Sequence, residues 1–360
     1  MYLYLSLLLC IFSILDVYTK YINKYHKLYT YLFFTLWIFF MVAFRDCGFD
    51  YDNYKHYFNY ITNSVYWESN ASDFGVETGY ALLNYYCTSF RQLLIIMATL
   101  TVGIYFIYIY KKSNYPFISI FLLLGSYVYP MMMGQYRQAL AIGICLIAVE
   151  FRKHKALSIF IILIASLFHV SAFLGLLFLI IPEKEYNWRV YVLLLLFALI
   201  SNLLLGNIFK DFISSMPTFV EDKLDYYTVV EKETKYGLNL AMLLKIFIFC
   251  ILWWRKEYLF KDKENIYFLN IYFMSLLIYL GLGFLPQLSG RGSIYFYFFE
   301  VIIASRLLYS EKDKILKLSF LVFFIMLGFY RQVSFFSEWS KDFIPYKYNL
   351  FSDSNIHSTH

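Results

Sequence analysis

The strongest constraint on this chain is a series of apolar runs, each close to the thickness of a bilayer core and separated by short basic connections. A helix needs about 20 predominantly apolar residues to cross that core, with a range of roughly 17–25. Such runs occupy residues 2–16, 31–44, 91–110, 116–132, 137–151, 156–181, 189–206, 237–254, 265–285, 293–309 and 314–331. Hydrophobic residues make up 61% of the 360 and charged residues 16%, where an average soluble protein carries about 25% charged. A water-soluble domain of this size could not hide so much apolar surface, whereas a chain embedded in lipid has no need to. The expectation is therefore an all-α polytopic integral membrane protein. The first run lacks the basic start and small-residue cleavage site of a signal peptide.

Orientation follows from Lys and Arg in the short connections, which favour the cytoplasmic side. The basic connections are Lys20/Lys24/Lys27, Lys111/Lys112, Arg152/Lys153/Lys155, Lys184/Arg189, Arg255/Lys256/Lys261/Lys263 and Lys312/Lys314. Placing residues 17–30 inside makes the alternation work through Lys155. It then fails if 156–181 is one crossing. Two short segments turning near Phe168-His169-Val170-Ser171 repair it, because both ends of the pair are then cytoplasmic. Broken helices at membrane depth are tolerated where they are buried or line a cavity. The predicted fold has about twelve segments including this broken pair, with both termini outside. It forms a single membrane domain over 1–331, with outer loops 45–90 and 207–236 and an outer tail 332–360. The 207–236 loop, with mixed acids and lysines, reads as a lid.

Several function classes are excluded at this stage. No Walker A or Rossmann glycine pattern is present, and the inner connectors are too short to form a nucleotide-binding domain. The net charge of +6 reads as loop asymmetry, since no basic cluster with interleaved aromatics stands on a polar face; no nucleic-acid partner is expected. The five cysteines, Cys10, Cys47, Cys87, Cys145 and Cys250, lack metal-ligand spacing, and no metal or cofactor is expected. Cys47 and Cys87 share one outer loop, where a disulfide is the minority reading. The aromatic fraction of 23% reads partly as codon bias and partly as interfacial belts.

The polar residues that remain gather at the outer boundary. Arg45-Asp46-Cys47-Gly48-Phe49-Asp50-Tyr51-Asp52-Asn53-Tyr54 follows the second span, and Glu77-Thr78-Gly79-Tyr80 opens an apolar segment. Tyr136-Arg137-Gln138-Ala139-Leu140-Ala141 starts a span from the outer side, where a cation opposes the helix dipole and wants an anion. Arg291, between Gly290 and Gly292, begins another. Set against these readings are a solvated loop for 45–54, a snorkelling side chain for Arg137 and a plain loop residue for Arg291. His169 is more often a satisfied structural histidine than a proton carrier. Arg331 reads as an interfacial anchor. Three outer arginines, Arg45, Arg137 and Arg291, run against the positive-inside trend and together suggest an anion site such as a diphosphate.

These segments, in this order, resemble the EpsG-like branch of the Wzy-type O-antigen and exopolysaccharide polymerases. The resemblance rests on Phe44-Arg45 with Gly48 to Tyr54, on Glu77 to Tyr80 and on Tyr136 to Ala141. It continues through Ile164-Ala165-Ser166-Leu167-Phe168-His169-Val170-Ser171-Ala172 and ends at Arg291 with Tyr295-Phe296. Phe49 departs from the small polar residue frequent there, and the tail beyond 331 has no counterpart. The resemblance implies a GT-C-like helical membrane fold in a bacterial inner membrane and a polyprenyl-diphosphate-linked oligosaccharide substrate. It also implies a chain-length regulator as partner, no nucleotide sugar and no essential metal. The implied reaction moves the growing glycan from undecaprenyl diphosphate onto the non-reducing end of the next lipid-linked unit. Arg45, Arg137 and Arg291 would then hold the diphosphate. Asp52, His169 and Glu77 are the candidates for taking the acceptor's proton. Asp50, Tyr54, Tyr80, Gln138 and Tyr295 would contact glycan, with Asp50 alternatively pairing Arg45 and the tyrosines alternatively lining the interface. The rivals are a flippase for the same lipid, which would want charges along a full path, and the O-antigen ligase, which shares the arginine and histidine logic. An acyltransferase would want an acid beside His169, and a scaffold leaves the outer arginines unexplained.

Overall fold

The computed structural model describes residues 1–19, 23–62, 68, 71, 75–206 and 239–349, together with the backbone of 207–214. The greater part of the predicted lid, 215–236, and the end of the tail lie outside the described residues. Helices α1 (Tyr2–Tyr18), α2 (Lys24–Ala43), α3 (Tyr51–Thr62), α4 (Thr78–Tyr86) and α5 (Phe90–Lys112) come first. Next are α6 (Pro116–Leu123), running into a π-helical stretch Leu124–Met132, then α7 (Tyr136–Glu150), α8 (Lys155–Ser166) and a 3₁₀ stretch Val170–Leu179. The chain continues through α9 (Trp188–Ser214), α10 (Leu240–Trp254), α11 (Lys256–Leu259), α12 (Lys263–Gly281), α13 (Pro286–Tyr297), α14 (Phe299–Ser310) and α15 (Lys314–Phe343). No strand occurs among the described residues, only an isolated bridge between Arg45 and Tyr348.

Among the described residues, five helical stretches are long and apolar enough to cross a membrane: Lys24–Ala43, Phe90–Lys112, Trp188–Gly206, Pro286–Ser310 and Lys314–Phe343. Five shorter apolar ones accompany them: Tyr2–Tyr18, Pro116–Met132, Lys155–Ser166, Val170–Leu179 and Leu240–Trp254. Their starts carry local signals. Asn23, Ser89, Asn239 and Asp313 accept amide hydrogens of the first turns of α2, α5, α10 and α15, and Pro116 and Pro286 occupy opening positions where no amide is needed.

The helix over 156–181 is broken where the alternation of basic loops required it. α8 stops at Ser166 and the 3₁₀ stretch begins at Val170. The two halves pack on each other and on α7: a Cβ on Gly175 would lie 3.5 Å from Ile162 Cγ1 in α8 and 3.0 Å from Cys145 Sγ in α7. Two segments read as loops are helical instead. Residues 45–90 contain α3, whose buried Tyr54, Phe58 and Ile61 recur at helical spacing, and α4. Residues 286–292 form the first turns of α13, so Arg291 lies inside a helix. The last span does not stop at 331 but continues as helix to Phe343, with a kink at Trp339. All five cysteines are free thiols.

The chain divides into two compact units, Met1–Leu179 with Ala304–His360, and Ile180–Ile303. In the first, α2 lies along α5, α1 along α6, α7 against α5 and α8, and α15 against α6 and the π-helical stretch. Its helix ends sort into two sets. At the lysine end, Lys27 pairs with buried Asp16 at 2.6 Å and donates to Asn114 O at 3.1 Å. There also Lys112 pairs with Glu150 at 2.7 Å, Arg306 Nε donates to Lys112 O at 2.8 Å and Ser305 Oγ accepts from Tyr115 N. At the arginine end lie the start of α1, the ends of α2 and α15, and the starts of α5 and α7. In the second unit α12 packs against α9, α10 and α13. Buried Asn270 ties it together, donating to Pro182 O at 2.8 Å and Lys184 O at 3.0 Å and accepting from Tyr191 at 2.8 Å.

Candidate active site

The site is built outward from the C-terminus of α2. A helix leaves its last four carbonyls without internal donors. Here other parts of the chain supply them. Tyr346 Oη donates to Met41 O at 3.0 Å, Arg45 Nη1 to Val42 O at 2.5 Å, Arg91 Nη1 to Ala43 O at 3.0 Å and Asn349 N to Phe44 O at 3.0 Å. Cations suit this negative end of the helix dipole. Arg91 also donates to Arg45 O at 3.0 Å and pairs with Asp46, whose carboxylate accepts Tyr51 Oη at 2.7 Å. Arg91 was not singled out in the sequence. Its signal was the same as that of Arg137, a cation in the first turn of an apolar helix.

Arg45 is 1% exposed, and its Nε and Nη2 have no hydrogen-bond partner. Its guanidinium stands 5.4 Å from the Tyr136 ring centroid. Asp50, half-buried, lies five residues on, just before α3. Gly48 turns the chain with φ +132, and a Cβ there would lie 2.6 Å from Met133 O. Only glycine takes that conformation without strain. Phe49, the departure from the family pattern, packs 4.8 Å from the Trp339 ring and fills space that a Cβ on Gly134 would invade.

Arg137 sits one residue beyond Tyr136 in the first turn of α7. Its Nη1 pairs with Glu77 Oε2 at 2.7 Å, and its guanidinium lies 5.5 Å from the Tyr54 ring and 5.3 Å from the Tyr80 ring. Its Nε has no hydrogen-bond partner. The rings form one cluster. Tyr54 and Tyr136 are 4.0 Å apart, and the hydroxyls of Tyr80 and Tyr136 share a hydrogen bond. Burial pushes the Tyr54 phenol up to about 12 against the pull of Arg137, so it stays protonated at neutral pH. Below them α3 and α4 share an apolar core with α5 through Phe58, Ile61, Ala81, Phe90 and Leu94.

Glu77 joins this cluster to the helix break. Its Oε1 accepts the Val170 amide at 3.2 Å. The backbone after it docks on the carbonyl that ends α8: Gly79 N and Tyr80 N donate to Leu167 O at 2.9 and 3.3 Å. A Cβ on Gly79 would lie 2.8 Å from that oxygen, which explains the glycine in Glu-Thr-Gly-Tyr. In the turn, His169 Nδ1 accepts the Ser171 amide at 3.3 Å and lies 2.6 Å from Ser171 Oγ. A neutral ring in this arrangement carries its proton on Nε2.

Of the residues expected to form a site, the structure thus brings together Arg137, Glu77, Tyr54 and Tyr80, with Arg45 one ring away and His169 one residue from the amide that Glu77 holds. Gln138 is buried at the start of α7. Asp52 is exposed on the first turn of α3, with no ion pair among the described residues. Arg291, exposed, and Tyr295, buried, belong to α13 in the second unit. Arg331 reaches Ser126 Oγ at 3.4 Å.

The model of the EpsG family matches residues 27–348. The chain belongs to the EpsG family. The match takes in the α2 corner, the Glu77 and Arg137 cluster, the helix break and α13. Family and apolar helices together make this a multi-pass membrane protein of the polysaccharide-polymerase type. No curated protein and no solved structure gives a significant match to the chain.

Proposed function

We propose that this EpsG-family chain is a glycosyltransferase that polymerises lipid-linked repeat units, with a GT-C-like fold of about twelve crossings in a bacterial inner membrane. In this reading it moves the growing glycan from undecaprenyl diphosphate onto the non-reducing end of the next unit. The observation that carries the reading is Arg137, held by one carboxylate and two aromatic faces with one guanidinium nitrogen unused. It stands at the end of the first unit opposite the lysines, and the positive-inside rule makes the lysine end cytoplasmic and the arginine end outer.

As the bond from the anomeric carbon to the diphosphate oxygen breaks, negative charge grows on the leaving group while an acceptor hydroxyl forms the new bond and gives up its proton to the departing diphosphate. Arg137, with Arg45 beside it, stabilises that charge. Glu77 has both oxygens engaged, so it orients Arg137 and the His169 turn. His169, with Nδ1 on Ser171, shapes the turn whose Val170 amide Glu77 holds. Asp50, Tyr54, Tyr80 and Gln138 stand at the glycan side, and a chain-length regulator is the expected partner.

The test is complementation of a strain that makes the lipid-linked unit but lacks this gene, with membrane expression checked. Wild type should restore a multi-unit ladder and Arg137→Ala only single capped units. A deletion strain that accumulates uncapped units on the cytoplasmic side would overturn the polymerase reading in favour of a flippase.

A further inference from the structure

Within the first unit, residues 342–349, from the last turn of α15 onward, lie as a strap across the end of α2 and the loop after it. Asp342 O accepts from Gly48 N at 3.0 Å and Lys347 O from Asp46 N at 2.9 Å, while Asn349 N donates to Phe44 O at 3.0 Å. Arg45 and Tyr348 face each other in an antiparallel bridge. The strap has its own anchor. Phe343 is fully buried, 5.0 Å from the Phe335 ring, and its carbonyl accepts Tyr2 Oη at 3.2 Å.

The consequence falls on Arg45. Its Nη1 takes Val42 O, and the carbonyls on either side of Val42 are taken by other donors: Met41 O by Tyr346 Oη at 3.0 Å and Ala43 O by Arg91 Nη1 at 3.0 Å. Phe44 O goes to the strap amide of Asn349. A buried guanidinium seeks the acceptors within its reach, because each unmet N–H costs free energy. With these carbonyls occupied, Nε and Nη2 of Arg45 stay without partners although the side chain is fully buried. We propose that the strap, through Tyr346 and Asn349, is a positioning element for Arg45. It occupies the α2 carbonyls that would otherwise draw the guanidinium away, and so holds its charge over Tyr136, the neighbour of Arg137. The inference rests on the polymerase reading, in which that charge helps to stabilise the departing diphosphate. It deepens that reading by giving a task to a tail for which the sequence showed no counterpart in the family.

Initial rates of polymer formation test this, with the full chain in vesicles and lipid-linked repeat units extracted from the strain that lacks this gene. Tyr346→Phe keeps the ring and removes the hydroxyl, which frees Met41 O. It should lower kcat about 3–10-fold, the scale of one lost hydrogen bond. KM should stay within about twofold, because the charge held by the strap acts on the departing group more than on the bound one. In an Arg45→Lys background the same substitution should change kcat by less than about twofold, since the nitrogens it would misplace are already gone. Asn349→Pro removes the amide on Phe44 O and suits the extended backbone of Tyr348. It should repeat the pattern, and it carries the test if Tyr346→Phe fails to reach the membrane. Equal losses in both backgrounds would overturn the proposal and leave the strap a brace of the fold, with the polymerase reading intact. A rise in KM at unchanged kcat would also overturn it. A wild type that forms no polymer from these units would sink the polymerase reading and the strap's task with it.

Discussion

The two ends of the first unit treat charge in opposite ways. At the lysine end the long side chains meet carboxylates: Lys27 on Asp16 and Lys112 on Glu150. At the arginine end, buried Arg45 and Arg91 and half-buried Arg137 are held largely by backbone carbonyls and aromatic rings, with Asp46 on Arg91 and Glu77 on Arg137. Each keeps at least one nitrogen without a partner. A buried cation without its counter-charge is costly. The first end therefore reads as a fastening, and the second as a site whose missing charge arrives with a ligand.

The sharpest way to break this comparison is to exchange charges at both ends. Arg137→Glu or Glu77→Arg should each lower polymerisation at least about 100-fold, the scale of removing a donor to a developing anion, and the double exchange should not restore it. Exchange of Asp16 and Lys27 should instead restore the wild-type ladder lost in either single variant. Recovery of polymer in the Arg137/Glu77 exchange would make that pair a fastening too.

A smaller effect tests whether the site depends on the helix break. Gly79→Ala places a methyl 2.8 Å from Leu167 O and should destabilise the purified protein by about 1–3 kcal/mol, the usual cost of overpacking. Thermal unfolding in detergent reads this out. A variant as stable as wild type would detach Glu77 from the break.

At the lysine end, Lys27→Ala leaves Asp16 buried without its cation and should cost about 1–3 kcal/mol, the penalty of an unsatisfied buried group. Lys27→Met with Asp16→Asn should recover most of it in the same unfolding assay. The smallest effect is expected at Asp52. It is exposed on the first turn of α3, where its carboxylate contributes about 0.3–1 kcal/mol through the helix dipole. Asp52→Asn should therefore leave polymer yield within about twofold of wild type, as expected of a group outside the anion site. A larger loss would bring Asp52 into the chemistry.

Much of this layout was legible before any coordinates. The apolar runs and the spacing of basic connections marked the helices. The failure of alternation at 156–181 located the break, because charge counts on both sides of one segment. Arg137 stood out because a cation at a helix start has no local reason to be there. Other features had no local signal. Arg91 was read as part of an ordinary span, and its role depends on carbonyls more than 40 positions away. Residues 45–90 looked like loop because α3 carries its apolar residues on one face only, and that face is buried by α4 and α5. Phe49 looked like a departure until Trp339 and Gly134 showed the space it fills.

The sequence by itself determined that the chain lives in lipid, where most of its long apolar helices lie, and which end of the bundle gathers lysines. Those properties depend on hydropathy and charge summed over neighbouring residues. Only the tertiary structure decided what each arginine meets: Asp46 for Arg91, Glu77 for Arg137, and the Val42 carbonyl and the Tyr136 ring for Arg45. The carbonyls of α2 are satisfied by Tyr346 and Asn349, about 300 positions away in the chain, and no local pattern records a hydrogen bond of that range.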